Sequence, residues 1–409
     1  MHRTSLVAAA LAIATLLLPA PAAQARPGAE TGSAAADLGR RIEQRMAQAG
    51  IVGLGAAVIV DQQVAWMQGF GFADRELRTP FTPDTVMNIA SISKTVTGAA
   101  LMHAVQEGKL ALDEDINAYL PFKVVNPHAP DAPITLRHLA THTSGIADRP
   151  DVYAASYRYG GDASEPLGDF LRAYFVPGGR AYSPDNFLAA APGSQREYSN
   201  IGAGLAGHIV ELAVGERLDA YTRRHFFEPL QMARTGWFLA DMPSENHSRL
   251  YMAQGGMVVP IPLYGLATYP DGGVRTSVAD LSRFFLALLG DGEFRGTRIL
   301  ARESAQEMLR FQYTADNKPD NVNIAGADSV NSGIFWATKF DISRIGHNGS
   351  DPGVTTMMLS DLARSIGVVL LVNTSLCDAD SGHYGAIFAE LWAHASALKG
   401  PDGNVPARP

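Results

Sequence analysis

Ser91-Ile92-Ser93-Lys94 sets a hydroxyl and an amine three residues apart, the first pair in this chain whose types and spacing suggest chemistry. On a helix, residues at i and i+3 share a face, so the two groups meet. A serine becomes a nucleophile when a base takes its proton, and a desolvated lysine crowded by other donors can have its pKa lowered enough to help. A helix N-terminus adds free backbone N–H groups and a positive dipole end, which can hold a developing oxyanion. The small and apolar residues from Asn88 to Leu101 predict the start of a buried helix around this pair. The same spacing recurs at Ser396-Ala397-Leu398-Lys399, on an amphipathic closing helix, so the tetrapeptide alone does not pick out a nucleophile.

Two further clusters accompany Ser91 and have no counterpart after Ser396. Tyr198-Ser199-Asn200 precedes a helix with Ile201, Leu205, Ile209 and Leu212 on one face, placing a phenol and a side-chain amide at a loop-to-helix boundary. Tyr198 could act as a base beside Ser91, and Asn200 could hold a substrate amide. His347-Asn348-Gly349-Ser350 opens a β-rich region. Other patterns carry less. His138 and His142 are four apart, but no glutamate follows His138 in the zinc-protease order, so structural hydrogen bonding is expected. Gly202-Ala203-Gly204-Leu205-Ala206-Gly207 fits a dinucleotide fingerprint, yet polar residues and not a buried strand precede it.

The elements that must position these groups follow from periodicity. Leu38, Ile42, Met46 and Ala49 predict a surface helix stopped by Gly50. Ile51–Val60 and Val64–Phe72 predict a hairpin turned at Asp61-Gln62-Gln63. The Ser91 helix is expected to run to about Glu107 and end at Gly108. Residues 109–269 read as mainly helical with long loops. Thr135–Gly145 reads as a short helix with a tight turn. The Gly- and Pro-rich stretch 146–194 reads as an aromatic loop region that shapes a pocket. Leu281–Leu289 is helical in pattern, Arg344–Val372 reads as a meander, and a helix through Ile387, Leu391 and Leu398 closes the chain.

At 409 residues, 46% hydrophobic and 18% charged, the composition is that of a globular chain of one to three domains. A net charge of −8 without long runs disfavours nucleic-acid binding. His2 and Arg3, the apolar run Leu6–Leu18 and Ala23-Gln24-Ala25 form a secretory leader too short to span a bilayer, so a periplasmic or secreted protein is expected, with no stable membrane insertion. Cys377 is the single cysteine, so no intrachain disulfide forms.

In order along the chain, Ser91-x-x-Lys94, Tyr198-x-Asn200 and His347-x-Gly349 resemble the three motifs of the serine β-lactamase and penicillin-binding superfamily. The branch is the one holding class C β-lactamases, D-alanyl-D-alanine carboxypeptidases, D-aminopeptidases and family VIII esterases. The resemblance implies an α/β fold of the α+β type: an antiparallel sheet flanked by helices, built from 38–80 and 270–399, with a mainly helical subdomain inserted at 81–269. Residues 1–25 are then a leader, 26–37 a spacer and 400–409 a flexible tail. It also implies that Ser91 forms an acyl-enzyme and that Lys94 and Tyr198 shuttle the proton, either one being the base. Asn200, His347, Gly349 and Ser350 would bind substrate, with the Ser91 and Ser350 N–H groups as the oxyanion hole. Neither metal nor organic cofactor is implied. The substrate would be a peptide or a small molecule. β-Lactamases usually carry K-T-G where this chain has His347-Asn348-Gly349; a mostly neutral imidazole lacks the charge that fixes an antibiotic carboxylate. A peptidase is therefore expected, with a carboxylesterase, a class C-like β-lactamase, and a non-turnover penicillin-binding or sensor protein as alternatives.

Overall fold

The computed structural model describes residues 32–242, 247–254, 257–340, 342–376 and 378–399. The leader 1–25, the tail 400–409 and Cys377 lie outside the described residues. Helix α1 spans Gly32–Ala49 and so reaches into the stretch assigned as a spacer. Leu38, Ile42, Met46 and Ala49 form its buried stripe. Each large side chain contributes about 2 kcal/mol of hydrophobic stabilisation. Gly50, at φ +67°, ends the helix in a conformation that suits glycine.

Eight strands form one sheet: β1 (Gly53–Val60), β2 (Gln63–Asp74), β3 (Thr79–Pro80), β4 (Ser332–Gly333), β5 (Trp336–Lys339), β6 (Arg344–Asp351), β7 (Val354–Asp361) and β8 (Ile366–Val372). Their order is β4-β5-β6-β7-β8-β1-β2-β3, and every pairing is antiparallel. Asp61 and Gln62 take positive φ of 45° and 65°, so the first hairpin closes through two residues and Gln63 already belongs to β2. The pairing of β1 with β8, from Leu54↔Val372 to Val60↔Ile366, welds the two ends of the chain at the centre of the sheet.

Period-2 alternation sends these central strands into two cores. Leu54, Ala56 and Val58 of β1, with Val368, Leu370 and Val372 of β8, pack beneath α1 and the closing helix α5 (Asp378–Lys399). Ala57, Ile59, Val369 and Leu371 point the other way, into the larger core that holds α2 (Ser93–Gln106), α3 (Asn200–Val214) and α4 (Val278–Leu289). The fold is thus a mixed α/β antiparallel sheet flanked by helices.

The stretch 146–194 is more ordered than a loop reading allows. It contains helices Pro150–Ala154 and Leu167–Phe175 and a strand Tyr157–Tyr159, which pairs with Tyr264–Leu266. Leu167, Phe170, Leu171, Tyr174 and Phe175 bury one helical face, a periodicity hidden by the surrounding glycines and prolines. Among the described residues no helix is long and apolar enough to cross a membrane.

Candidate active site

Ser91 does not lie within the α-helix itself. It sits in a single 3₁₀ turn, Ala90–Ile92, that leads into α2. Ser91 lies two residues ahead of α2 and Lys94 in its first turn, and their side chains meet across that junction at 3.1 Å. The turn is set by its entry. Ala90 takes φ +50°, a left-handed conformation that costs a non-glycine residue energy, and its N–H donates to Asn88 Oδ1 at 2.6 Å. Asn88 Nδ2 donates to the Gly272 carbonyl, and Thr356 of β7 donates to the Ile89 carbonyl at 3.0 Å. The turn is held from both sides, by the 270–274 segment and by the sheet.

α2 is buried on all sides from Ser93 to Ala104 and runs through the interior, as a central helix must. Ser93 Oγ accepts the Val274 N–H and Thr97 donates to the Pro270 carbonyl, which fastens the 270–274 segment along α2. Lys94 is fully buried. Its ammonium donates to Ser91 Oγ at 3.1 Å, Asn200 Oδ1 at 2.7 Å and the Asp271 carbonyl at 2.8 Å. Burial works against the charge. The Tyr198 hydroxyl and the Asp271 and Asp148 carboxylates outweigh it, and the net direction of the Lys94 pKa is upward.

Tyr198 and Asn200 arrive at the entrance to α3. Ser199 caps that helix, its hydroxyl accepting the Gly202 N–H at 2.8 Å while donating to Asp148 Oδ1 at 2.6 Å. Asp148 also accepts the Asn200 N–H at 2.6 Å and the Ile201 N–H at 3.1 Å. One carboxylate therefore fixes the whole Tyr-x-Asn turn. His142 does the rest: its ring lies 4.3 Å from that of Tyr198, and Nδ1 accepts the Ser199 N–H at 3.2 Å. The Tyr198 ring centre is 5.0 Å from Lys94 Nζ and 6.3 Å from the His347 ring. Since Asn200 Oδ1 faces an ammonium, its Nδ2 donor is the group left to face a ligand.

His347 and Gly349 lie on β6, with Ser350 next along the strand. Gly349 is required by space: a Cβ there would meet Thr356 Oγ1 at 2.5 Å, the Ile89 carbonyl oxygen at 2.6 Å and Ala90 Cβ at 2.9 Å. The bare backbone of β6 thereby abuts the nucleophile turn. His347 Nδ1 donates to the Asn348 carbonyl, which leaves Nε2 an acceptor. Burial, then the positive charge of Lys94, pushes the imidazole down to about 3, so it is neutral near pH 7.

The structure thus brings Ser91, Asn200, Tyr198 and His347 to the Lys94 ammonium, while Gly349, with Ser350 next along the strand, abuts the Ser91 turn. It assigns His138 and His142 to separate tasks. His138 Nδ1 accepts the Thr135 N–H in a capping box, and His142 supports the Tyr198 turn. Ser396 and Lys399 are spent elsewhere, on the Trp392 carbonyl and on Ser365. Three aspartates around the site escaped the sequence reading. Asp148 follows Gly145 by three residues, Asp271 directly precedes Gly272-Gly273, and Asp351 follows Gly349 by two. Their closeness to motif glycines was the available signal.

A family model described as Beta-lactamase matches residues 38–386. Among curated proteins, Protein flp of Staphylococcus aureus (strain N315) is 25% identical over 334 residues, covering 81% of this chain. The chain spans 61% of the length of that relative. Among solved structures, the octameric penicillin-binding protein homologue from Pyrococcus abyssi superposes with a TM-score of 0.69 at 26% identity, over 87% of this chain and 77% of the other. The D-amino acid amidase from Ochrobactrum anthropi SV3 gives 0.66 at 23% identity, over 88% of this chain and 98% of the other, a likeness of fold. With the match running from α1 to α5 and through all three motif clusters, this chain belongs to the Beta-lactamase family.

Proposed function

We propose that this chain is an exported serine hydrolase that cleaves a peptide or related amide bond through an acyl-enzyme on Ser91. The observation that carries the reading is the coordination of Lys94. Asn200 Oδ1 and the Asp271 carbonyl can only accept hydrogen bonds, so they fix two of its N–H groups and aim the third position at Ser91 Oγ. In this reading the phenolate of Tyr198, its ring centre 5.0 Å from Lys94 Nζ, takes the Ser91 proton as Oγ attacks the carbonyl carbon. The oxyanion is received by the N–H groups of Ser91 and Ser350. Tyr198 then returns the proton to the leaving nitrogen or oxygen as the C–N or C–O bond breaks. Water, deprotonated by the same phenolate, releases the acid and restores Ser91. Asn200 Nδ2 holds the acyl-side carbonyl oxygen of the substrate.

A neutral His347 stands where β-lactamases usually carry the lysine that fixes a carboxylate, and this supports peptide or ester turnover over antibiotic hydrolysis. Export rests on the leader at 1–25. Ser91→Ala is expected to abolish turnover and fluorophosphonate labelling while the protein stays folded. Peptide amides, p-nitrophenyl esters and nitrocefin, assayed side by side, separate peptidase, esterase and β-lactamase. Full activity in Ser91→Ala would end the assignment, and labelling without turnover of any substrate would mark a penicillin-binding or sensor protein.

A further inference from the structure

One short segment touches three parts of the site. Asp148 fixes the Tyr198 turn, and the helix Pro150–Ala154 and strand Tyr157–Tyr159 that follow it each supply a phenol. Tyr157 donates to Asp351 Oδ1, Tyr153 donates to Asp271 Oδ1 at 2.9 Å, and the two phenol oxygens are 3.4 Å apart. Four oxygens thus stand in a line with three contacts between them. The ends of the line belong to the catalytic parts: Asp351 follows Ser350 on β6, and the Asp271 carbonyl accepts the Lys94 ammonium. Asp351 Oδ2 also lies over Gly272, 3.5 Å from where a Cβ would stand. The Gly272 carbonyl anchors Asn88, which sets the Ser91 turn.

With both aspartates ionised, this line is one hydrogen short. A phenol carries a single donor, and an ionised carboxylate only accepts. The Tyr153 and Tyr157 protons then serve the outer contacts, and the middle contact sets two oxygens face to face, too close for a water between them. A proton added to either carboxyl removes the defect. Asp351 then donates to Tyr157, Tyr157 to Tyr153 and Tyr153 to Asp271, or the line runs in reverse. Among the described residues no other group bonds to either phenol oxygen. Arg275 spends Nη1 and Nη2 on the Trp237, Gly273 and Tyr264 carbonyls, the Tyr264 hydroxyl donates to the Pro352 carbonyl, and Tyr159 feels the Asp351 charge only at a distance. Burial pushes Asp271 up to about 7 against Lys94, the Thr268 hydroxyl and Tyr153, with the Asp351 charge adding to the push. It pushes Asp351 up to about 6 against Tyr157, Lys94 and Arg275.

We propose that Asp351 and Asp271 share one proton through Tyr157 and Tyr153, and that this proton, by closing every contact of the line, holds the Ser350 strand and the carbonyl acceptor of Lys94 in register for acylation of Ser91. The inference rests on the serine hydrolase reading and gives that site a pH-dependent control. When the proton passes to solvent, both carboxylates are charged, the middle contact loses its hydrogen, and the two walls of the site are no longer tied. Acylation is therefore fast on the acid side of this release and slow on the alkaline side. The four residues are positioning residues, acting through Ser350 and Lys94.

Asp351→Asn separates this device from a plain structural contact. Its amide can donate to Tyr157 or accept from it, so the line stays closed whether Asp271 is ionised or not. Fluorophosphonate labelling of Ser91 and turnover of p-nitrophenyl butyrate are followed for both proteins from about pH 5 to about pH 9, a span that brackets the two carboxyls. Dividing the variant's rate by that of the wild type removes the titrations the two share. The quotient is expected to stay near one at the acid end and to rise by on the order of 10-fold as pH passes about 7, the worth of one hydrogen bond. Tyr153→Phe removes a middle oxygen, is expected to be slow at both ends, and serves if the first variant folds poorly. A quotient flat with pH, or a Tyr153→Phe protein that keeps the wild-type profile, overturns the control. Thermal melts give a readout apart from activity. Both carboxyls hold their proton above the ordinary 3.8, so the linked stability is full below 3.8 and lost as pH rises through about 6 to about 7. Asp351→Asn should gain Tm on the wild type across that window. If Ser91 is labelled while quotient and Tm difference are both flat, the shared proton alone fails; if Ser91 is neither labelled nor active at any pH, the hydrolase reading fails and the control of acylation with it.

Discussion

Replacing Gly349 by alanine tests whether the contact of β6 with the nucleophile turn is what makes the site work. The added methyl would sit 2.6 Å from the Ile89 carbonyl oxygen, 2.9 Å from Ala90 Cβ and 2.5 Å from Thr356 Oγ1. Ordinary contact begins near 3.5 Å, so strand and turn must separate by about 1 Å. Rotation of Thr356 does not relieve the crowding, because its hydroxyl already donates to the same Ile89 carbonyl and would lose that bond. A shift of about 1 Å between a nucleophile and its oxyanion donors costs on the order of 100-fold in rate. Overpacking costs about 1–3 kcal/mol, which in a chain of this size lowers Tm by roughly 1–2 °C per kcal/mol. Gly349→Ala is therefore expected to stay folded while Ser91 labelling and ester turnover fall together by about two orders of magnitude. The assays are time-resolved fluorophosphonate labelling, p-nitrophenyl ester hydrolysis and a thermal melt. Rates within about threefold of wild type would refute the reasoning. So would a Tm loss beyond about 10 °C, because the glycine would then serve the fold before the site.

Asp148→Asn should slow the chemical step more than it weakens binding. The new amide keeps one acceptor for Ser199 or Ile201 but turns an N–H donor toward the Asn200 N–H, so kcat is expected to fall about 10- to 100-fold with a smaller change in KM. An unchanged kcat with only a lower Tm would reduce Asp148 to a structural cap. Asp271 makes a prediction about stability and pH. Burial, opposed in part by Lys94 and Tyr153, holds its folded pKa at about 7 against an ordinary 3.8, so the folded protein binds that proton more tightly than the unfolded chain. The associated stability is full below pH 3.8 and lost as pH rises through about 7. Asp271→Asn should therefore gain Tm on the wild type progressively across that window, and a Tm difference that is flat with pH would contradict the shift.

Much of the frame was legible because it depends on local rules. The β-rich runs of β1 and β8, the four-residue stripe of α1 and the turn read at Asp61-Gln62-Gln63 each express a local propensity, a period or a dihedral preference. The three motif clusters were legible as letters in order. The 3₁₀ placement of Ser91 was not, because the left-handed Ala90 is imposed by Asn88 nearby and by Thr356 from a strand that enters 267 residues later. The helix Leu167–Phe175 was hidden by its glycine- and proline-rich surroundings. Asp148, Asp271 and Asp351 were passed over for another reason. An aspartate beside glycine in a turn is ordinarily solvated, and only the closed fold removes that water.

The buried charge of Lys94 explains why these distant segments share one register. An ammonium taken out of water is tolerated only if each of its donors finds an oxygen. Here the three oxygens come from the 3₁₀ turn, the head of α3 and the segment before Gly272, three segments far apart in the chain. Satisfying the lysine fixes Ser91 relative to Asn200 and brings Tyr198 in with its neighbour. The bond to the Asp271 carbonyl also leaves that residue's carboxylate turned away, toward Tyr153 and Asp351. The charge that places the nucleophile reaches this end of the cleft too: burial pushes the Asp351 carboxyl up to about 6, and Tyr157, Lys94 and Arg275 oppose that push.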